Sequence, residues 1–110
     1  MAQSSLTEHL KRNHFGERNA VNSRTLEQLF GLSGKELRNT INTLRRSGVP
    51  IASSINGYFY AATAQEIRAT INHMAHRIEG ISKAIRGLNE ALELFDAAQT
   101  RLPLDGGDAP

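Results

Sequence analysis

The chain has 110 residues, enough for one small domain and an extension, and its lack of cysteine excludes disulfides, cysteine-ligated zinc and thiol catalysis. Its net charge of +2 is unevenly distributed, because residues 1–61 contain eight basic and four acidic residues whereas residues 62–110 contain five and seven. A positive surplus in the first part suits a polyanionic partner, since phosphate contacts supply most non-specific DNA affinity, although a solvated basic face has the same composition.

Three copies of a Ser/Thr-x-x-Glu pattern predict three helix starts. In such a capping box the hydroxyl accepts a backbone N–H of the first turn, and the glutamate accepts the N–H of the capping residue. The acid also favours the positive end of the helix. The pairs are Ser5 with Glu8, Ser33 with Glu36, and Thr63 with Glu66.

The first two helices are predicted over Leu6–Asn13 and Arg24–Phe30 from the spacing of their apolar residues. The first presents Leu6 and Leu10 on one face. A polar connection follows, with a short strand possible at residues 20–21. The second helix is expected to bury Leu26, Leu29 and Phe30.

A third, more basic helix is predicted over Gly34–Ser47, after a glycine-marked turn. Its buried stripe has i, i+4, i+7 spacing and consists of Leu37, Ile41 and Leu44. Gly48 suits the C-terminal end of this helix and Pro50 prevents its continuation.

A β-hairpin is predicted over Ile51–Ala61. Its turn is placed at Asn56-Gly57, because both residues tolerate the positive φ that a type I′ turn requires. The chain is therefore expected to be mainly α with a small β-hairpin: a winged helix-turn-helix head (residues 1–62), a long C-terminal coiled-coil-type helix for oligomerisation (residues 63–98) and a disordered tail (residues 99–110).

The head resembles winged helix-turn-helix DNA-binding domains, notably the N-terminal domain of biotin repressors, and small winged-helix proteins of phages and prophages. The residues that carry the resemblance are Ser23-Arg24-x-Leu26, Phe30-Gly31-Leu32-Ser33-Gly34, Leu37-Arg38-x-x-Ile41-x-x-Leu44-Arg45, Gly48-x-Pro50-Ile51-x-Ser53 and Gly57-Tyr58-Phe59-Tyr60. The resemblance implies that the third helix is the recognition helix and that the hairpin tip can contact phosphate or the minor groove, through Ser53, Ser54 or Asn56.

The residues expected to reach DNA follow from helical geometry. At 100° per residue, four residues of the third helix fall within roughly 50° of the direction opposite its apolar stripe. They are Lys35, Asn39, Asn42 and Arg46, with Arg38 and Thr43 beside them. Asparagine can pair bidentately with adenine, and arginine or lysine with guanine. Arg24, at the start of the second helix, is an expected phosphate contact, and Asn56 completes the set.

A protein-interaction adaptor is the alternative function, since a winged head on a coiled-coil stalk can display a surface for another protein without binding DNA. The hairpin is expected to contribute little DNA affinity, because residues 51–60 contain no lysine or arginine. Steep salt dependence of DNA binding separates the two functions.

The predicted C-terminal helix carries an uninterrupted heptad with apolar residues at its a and d positions. These residues are Ile67, Ile71, Met74, Ile78, Ile81, Ile85, Leu88, Leu92 and Phe95. A helix of about 33 residues is roughly 50 Å long, longer than the diameter of about 27 Å expected for a 60-residue head. The distal part of the stripe is therefore expected to pack on another chain. A dimer is the first expectation and a higher oligomer the second, with helix orientation undetermined.

A helical hairpin broken at Gly80 or Gly87 is a second arrangement, but the heptad phase passes both glycines unchanged and favours one continuous helix. His73 and His76 are three residues apart without a third ligand nearby, so solvated histidines are expected rather than a metal site. No catalytic triad, phosphate loop or paired carboxylates are found. We expect no enzyme activity, no cofactor and no metal.

No apolar run approaches the length of a membrane span, and the first residues lack the apolar core of a signal peptide. We therefore expect a cytoplasmic, phage-like homo-oligomer whose partner is double-stranded DNA, with no membrane partner. A role in transcription regulation or at a replication or partition site is compatible with these features.

Overall fold

The structure, a computed structural model, describes residues 2–101, with side chains over residues 5–99. The elements are α1 (Ala2–Asn13), α2 (Ser23–Phe30), α3 (Gly34–Arg46), β1 (Ile51–Ser54), β2 (Gly57–Tyr60) and α4 (Ala64–Arg101). This order confirms the predicted mainly-α fold with a small hairpin and a long C-terminal helix. Internal contacts divide the chain into two compact units between His73 and Met74.

The start of α1 differs from the prediction. The helix already includes Ala2, so Ser5 lies inside it and does not cap it. Glu8 forms instead an exposed ion pair with Arg12, at 3.6 Å. The Ser-x-x-Glu pattern caps a helix only where the preceding backbone is extended, and here the backbone is already helical. Leu6 and Leu10 are fully buried, as the spacing predicted.

In α2, the observed cap and buried face also differ from the prediction. Asn22 caps the helix by accepting the Thr25 N–H at 2.8 Å, so α2 begins at Ser23. Leu26 is buried, whereas Leu29 is 57% exposed and the prediction for it was wrong. Its side chain lies about 80° from the centre of the stripe that Leu26 forms with the half-buried Phe30.

The predicted cap and apolar stripe of α3 are both confirmed. Ser33 Oγ accepts the Glu36 N–H at 3.1 Å, and Glu36 Oε1 accepts the Ser33 N–H at 2.8 Å. The predicted stripe, Leu37, Ile41 and Leu44, joins the core with residues of α1, α2 and β1. Both ends of the stripe are buried, which fixes the rotation of α3 about its axis and therefore which side chains point outward.

The hairpin turn is one residue earlier than predicted. Ser54 pairs with Gly57, so the tip consists of Ile55 and Asn56, and Gly57 begins β2 with φ of +121°. The reason is a backbone bridge outside the hairpin, in which Val21 exchanges hydrogen bonds of 2.8 and 2.9 Å with Tyr58. A Cβ at position 57 would overlap the Val21 carbonyl oxygen, so this close approach requires glycine.

Two side chains join the first turns of α4 to the rest of its unit. Glu66 accepts backbone N–H groups of Glu17 at 3.0 Å, Ala62 at 2.6 Å and Thr63 at 3.2 Å. These bonds, the one from Glu17 foremost, lower the pKa of the Glu66 carboxyl. Thr70, which is 5% exposed, accepts the Ser53 N–H at 3.1 Å. The predicted capping box of Thr63 with Glu66 is confirmed, since Thr63 Oγ1 also accepts the Glu66 N–H.

α4 passes through Gly80 and Gly87 as one helix and continues to Arg101, three residues beyond its predicted end. The remainder of the predicted disordered tail, residues 102–110, lies outside the described residues. Over the part of the chain that the structure covers, no helix is both long and apolar enough to cross a bilayer.

Two histidines form a hydrogen-bonded pair between α1 and the short turn at Glu17–Asn19. His9 Nε2 and His14 Nε2 are 3.2 Å apart, His9 Nδ1 faces the Asn13 amide at 3.1 Å, and His14 Nδ1 faces the Asn19 carbonyl at 2.8 Å. Every hydrogen bond in this series has one donor and one acceptor when both rings are neutral and His9 Nε2 donates to His14 Nε2. Burial, and secondarily the neighbouring His14, lowers the pKa of His9 below 6.5.

The pair predicts a loss of stability in mild acid. Because the folded state holds the pKa of His9 below the value of 6.5 that applies in the unfolded chain, the unfolded state binds protons more readily as the pH falls. The folding stability associated with neutral His9 is fully present above about pH 6.5. It is lost as the pH falls through the lowered pKa of His9. Urea unfolding should show that the free energy of unfolding decreases less between pH 7.5 and pH 5 in His9→Gln than in the wild type. An equal slope in both would contradict this, and His73→Gln, on exposed α4, serves as control.

Candidate nucleic-acid interface

The outward face of α3 presents the four residues that helical geometry predicted. Lys35, Asn39, Asn42 and Arg46 are all exposed, on the side of the helix opposite the buried stripe. The stripe fixes this orientation, because rotation of α3 would expose Leu37 or Ile41. The structure therefore brings these four side chains together on one surface of one rigid element.

Three of these four side chains retain their full hydrogen-bonding capacity within the described residues. The structure gives no hydrogen bond or ion pair to the Lys35 ammonium or to the amides of Asn39 and Asn42. Arg46 Nη2 donates to Thr43 Oγ1 at 3.3 Å, which leaves the other guanidinium donors unused by that bond. The face thus offers two amides, each both donor and acceptor, between two cations.

Thr43 is half-buried and supports the face rather than extending it. Its hydroxyl donates to the Asn39 carbonyl at 2.9 Å and accepts from Arg46. The effect is to hold the Arg46 guanidinium along the helix, one turn from the Asn42 amide. Thr43 was predicted as a direct contact, and its geometry suits the positioning of Arg46.

The remaining predicted contacts lie at the margins of the α3 face or on other elements. Arg38 is exposed, and its guanidinium extends toward the turn before α3, 3.5 Å from the position of a Cβ on Gly34. Arg24 is exposed in the first turn of α2, and Asn56 is exposed at the hairpin tip. Arg38 therefore belongs to α3 itself, whereas Arg24 and Asn56 belong to α2 and to the hairpin tip.

Arg45 has a structural function that sequence reasoning missed. Its Nε donates to the Ile51 carbonyl at 2.7 Å and its Nη2 to Ser53 Oγ at 3.2 Å. Its guanidinium carbon also lies 5.9 Å from the centre of the Tyr58 ring. Arg45 therefore fastens the hairpin to α3. The signal was its spacing, because a residue four after Ile41 falls on the inner flank of the helix and not on the outward face.

The electrostatics of α3 are one-sided. Its single acidic residue is Glu36, whose carboxylate is engaged by the Ser33 N–H at the start of the helix. The cations Lys35, Arg38 and Arg46 lie along the exposed surface. The helix therefore presents positive charge outward without a carboxylate among the amides, as phosphate attraction requires.

The hairpin tip has a different chemistry from the α3 face. Ile55 is 98% exposed, and Ser54 Oγ accepts the Asn56 N–H at 3.1 Å. Ser53 is engaged by Arg45 through its hydroxyl and by Thr70 through its backbone. Of the three polar hairpin residues expected to reach a ligand, Asn56 alone presents a side chain with no hydrogen bond inside the described chain.

No protein-family model matches this chain, and neither a curated protein nor a solved structure matches it. Over the described residues, no group of three or more His, Cys, Asp or Glu side chains is arranged to hold a metal ion. The chemical character of the α3 face is therefore the basis on which a function can be argued.

Proposed function

We propose that this chain binds double-stranded DNA by inserting α3 into the major groove, and that it acts as a homo-oligomer through α4. Its role would be that of a small transcription regulator or of a protein bound at a replication or partition site. The observation that carries the proposal is the exposed row of Lys35, Asn39, Asn42 and Arg46 on a helix whose opposite face is buried.

The dimensions of this row suit a groove. The four residues have i, i+4, i+7, i+11 spacing, so they extend about 16 Å along the helix axis. The major groove is about 12 Å wide and admits an α-helix. Bidentate pairing of an asparagine amide with adenine, and of an arginine with guanine, supplies sequence discrimination of about 1–3 kcal/mol for each good pair.

The flanking cations suit backbone contacts. Arg24 is exposed in the first turn of α2 and Arg38 is exposed on α3, and exposed cations of this kind are the side chains that contact backbone phosphates. Such contacts position a protein on DNA without reading its sequence. They would also make the affinity depend strongly on salt, because each neutralised phosphate releases counterions.

The decisive experiment is a fluorescence-anisotropy titration of pooled random-sequence duplex DNA across a salt series. Wild-type protein should bind with an affinity that falls steeply with salt, and Asn39→Ala with Arg46→Ala should weaken binding about tenfold or more and reduce the salt slope by about one unit. The matched control is Asn72→Ala with Lys83→Ala, which removes one amide and one cation from exposed positions of α4. Equal binding by both variants, or no binding at low salt, would refute the proposal.

A protein-interaction adaptor is the second candidate function, and two exposed apolar residues favour it. Leu29 on α2 and Ile55 at the hairpin tip are 57% and 98% exposed. Exposed apolar side chains such as these are where a protein partner would pack, although single ones are common on soluble proteins. An adaptor would show no DNA-dependent anisotropy change at any salt concentration, so the same titration separates the two functions.

A further inference from the structure

From Ile78 onward, the apolar face of α4 is exposed in the single chain. Ile78, Ile81 and Ile85 are between 53% and 68% exposed, and Leu88 is 71% exposed. Burial of a large apolar side chain stabilises by about 1.5–3 kcal/mol, so a continuous row of this length favours association with another helix. The proposed function assigns this face to self-association but leaves the arrangement of the copies open.

We infer that two copies pair through α4 in antiparallel orientation, with Arg68 of each chain opposite Asp96 of the partner subunit. This inference rests on the self-association in the proposed function and adds its geometry. The residues that carry it are those flanking the apolar row, at the e and g positions of the heptad. In order, the e residues are Arg68, Ala75, Ser82, Asn89 and Asp96, and the g residues are Thr70, Arg77, Ala84, Ala91 and Ala98. Thr70 is already covered by β1 of its own chain, so the g residues that can face a partner begin at Arg77.

Charge distinguishes the two orientations. In a parallel pair each g residue faces the e residue of the following heptad, and none of the resulting pairs joins two charged residues. In an antiparallel pair e faces e and g faces g. Arg68 is the first e residue and Asp96 is the last. Arg68 of each chain then faces Asp96 of the partner subunit, which gives one such pair at each end of the paired helices. Both residues are exposed on α4.

The layers of apolar residues select the same register. When Arg68 is opposite Asp96 of the partner subunit, Ile71 packs against Phe95 of the partner subunit, Met74 against Leu92 of the partner subunit, and Ile78 against Leu88 of the partner subunit. Ile81 and Ile85 of the two chains then meet at the centre. Small g residues, Ala84 and Ala91, border this contact and permit close approach of the helices.

Shifting the antiparallel register by one heptad gives as many apolar layers, but it buries less of the exposed apolar surface and loses the ion pair. It would place Ile67 in a layer and leave Phe95 opposite Ala64 of the partner subunit. Ile67 is 37% exposed, whereas Phe95 is 69% exposed, so the unshifted register covers the residue that has more surface to lose. The shift would also place Arg68 beside Asn89 of the partner subunit, without an ion pair.

The antiparallel arrangement has a consequence for the proposed DNA binding. The two α4 helices would overlap over about 54 Å, with their first turns at opposite ends. The two α3 helices are then attached to opposite ends of the pair, whereas a parallel dimer would attach them at the same end.

The absence of cysteine from the sequence allows a direct test of orientation. Single variants Met74→Cys and Leu92→Cys are prepared, mixed, refolded together from denaturant and oxidised. In the antiparallel register positions 74 and 92 of different chains share a layer, close enough for a disulfide, while identical positions lie about 27 Å apart. Cross-linked dimer should therefore form at least tenfold more in the mixture than in either variant alone. Lys83→Cys, on the outward side of α4, is the control for random collision.

Each alternative outcome overturns the inference in a recognisable way. Cross-linking of each variant with itself would establish a parallel pair. A dimer by light scattering that cross-links in no combination would exclude this register. A monomeric wild-type chain would refute self-association itself, and the DNA titration would show separately whether the α3 face still binds DNA.

Charge reversal gives an independent readout. Arg68→Glu turns two attractive pairs into two repulsive ones, and the dimer Kd should rise about three- to tenfold. Combining Arg68→Glu with Asp96→Lys should bring the Kd back toward the wild-type value in the antiparallel dimer, because both pairs are recreated. Asp96 also has an interaction of its own, and Asp96→Lys alone measures the effect of losing it. In a parallel dimer residues 68 and 96 lie about 42 Å apart, so the double variant would show only the sum of the two single effects.

Discussion

Replacing Gly57 with alanine is expected to destabilise the head by about 3 kcal/mol or more. Two costs combine at this position. Its φ of +121° lies in a region that residues with a Cβ rarely adopt, and the added Cβ would overlap the Val21 carbonyl oxygen. To relieve the overlap, β2 must separate from Val21, which breaks both hydrogen bonds between Val21 and Tyr58. Urea unfolding followed by circular dichroism measures the change.

Gly31→Ala is the control that isolates the close approach from the backbone conformation. Gly31 also has positive φ, +64°, at the C-terminal end of α2, but no atom lies within 4 Å of where its Cβ would be. Its replacement should cost about 1 kcal/mol, the penalty of the left-handed conformation alone. Equal losses for the two variants would show that Val21 does not constrain position 57.

The difference between these glycines also shows where sequence reasoning ended. Asn56-Gly57 carries a strong local turn signal, and the hairpin itself was predicted from it. The turn nevertheless forms at Ile55-Asn56, because Gly57 is needed where the backbone of Val21 approaches β2. Val21 and Gly57 are 36 positions apart in the sequence, so the residues around the turn do not indicate that they approach each other.

Capping patterns show the same limit more simply. The pair of Ser33 and Glu36 and the pair of Thr63 and Glu66 form the predicted bonds, since each needs only two residues of one turn. The identical spacing of Ser5 and Glu8 occurs inside α1 and caps nothing. What distinguishes them is the conformation of the preceding residue, which the four-residue pattern does not specify.

The α3 face could be predicted because it follows from one helical period. Three buried positions fix the direction of the core, and the exposed positions of Lys35, Asn39 and Arg46 follow by rotation. Arg45 could not be assigned in this way, since its partners Ile51 and Ser53 belong to the hairpin. Arg45 contributes to the basic surplus of residues 1–61 that the sequence assigns to DNA, but in the structure its guanidinium fastens the hairpin to α3.

Substituting aspartate at both Ile78 and Ile85 is expected to abolish self-association. Each dimer would lose four apolar side chains from its interface, a loss of about 6–12 kcal/mol at about 1.5–3 kcal/mol each. The binding free energy of a micromolar to nanomolar dimer is itself about 8–12 kcal/mol. The desolvation of four carboxylates in the layers adds to the loss. Light scattering should therefore report the mass of one chain, and an unchanged oligomer mass would refute the assignment of this face.

The same variant separates the contribution of self-association to DNA binding from that of the α3 face. Ile78 and Ile85 are 68% and 53% exposed in the single chain, so the head should keep its unfolding midpoint. Joining two heads raises affinity for a two-site DNA about 10²- to 10⁴-fold through effective concentration, and this gain should be lost. Binding to an isolated half-site should not change. His76→Asp with Lys83→Asp, on the outward side of α4, adds at least as much negative charge and should retain both the oligomer and the two-site affinity. A loss of half-site binding in the Ile78/Ile85 variant would instead show that α4 contributes directly to the DNA surface.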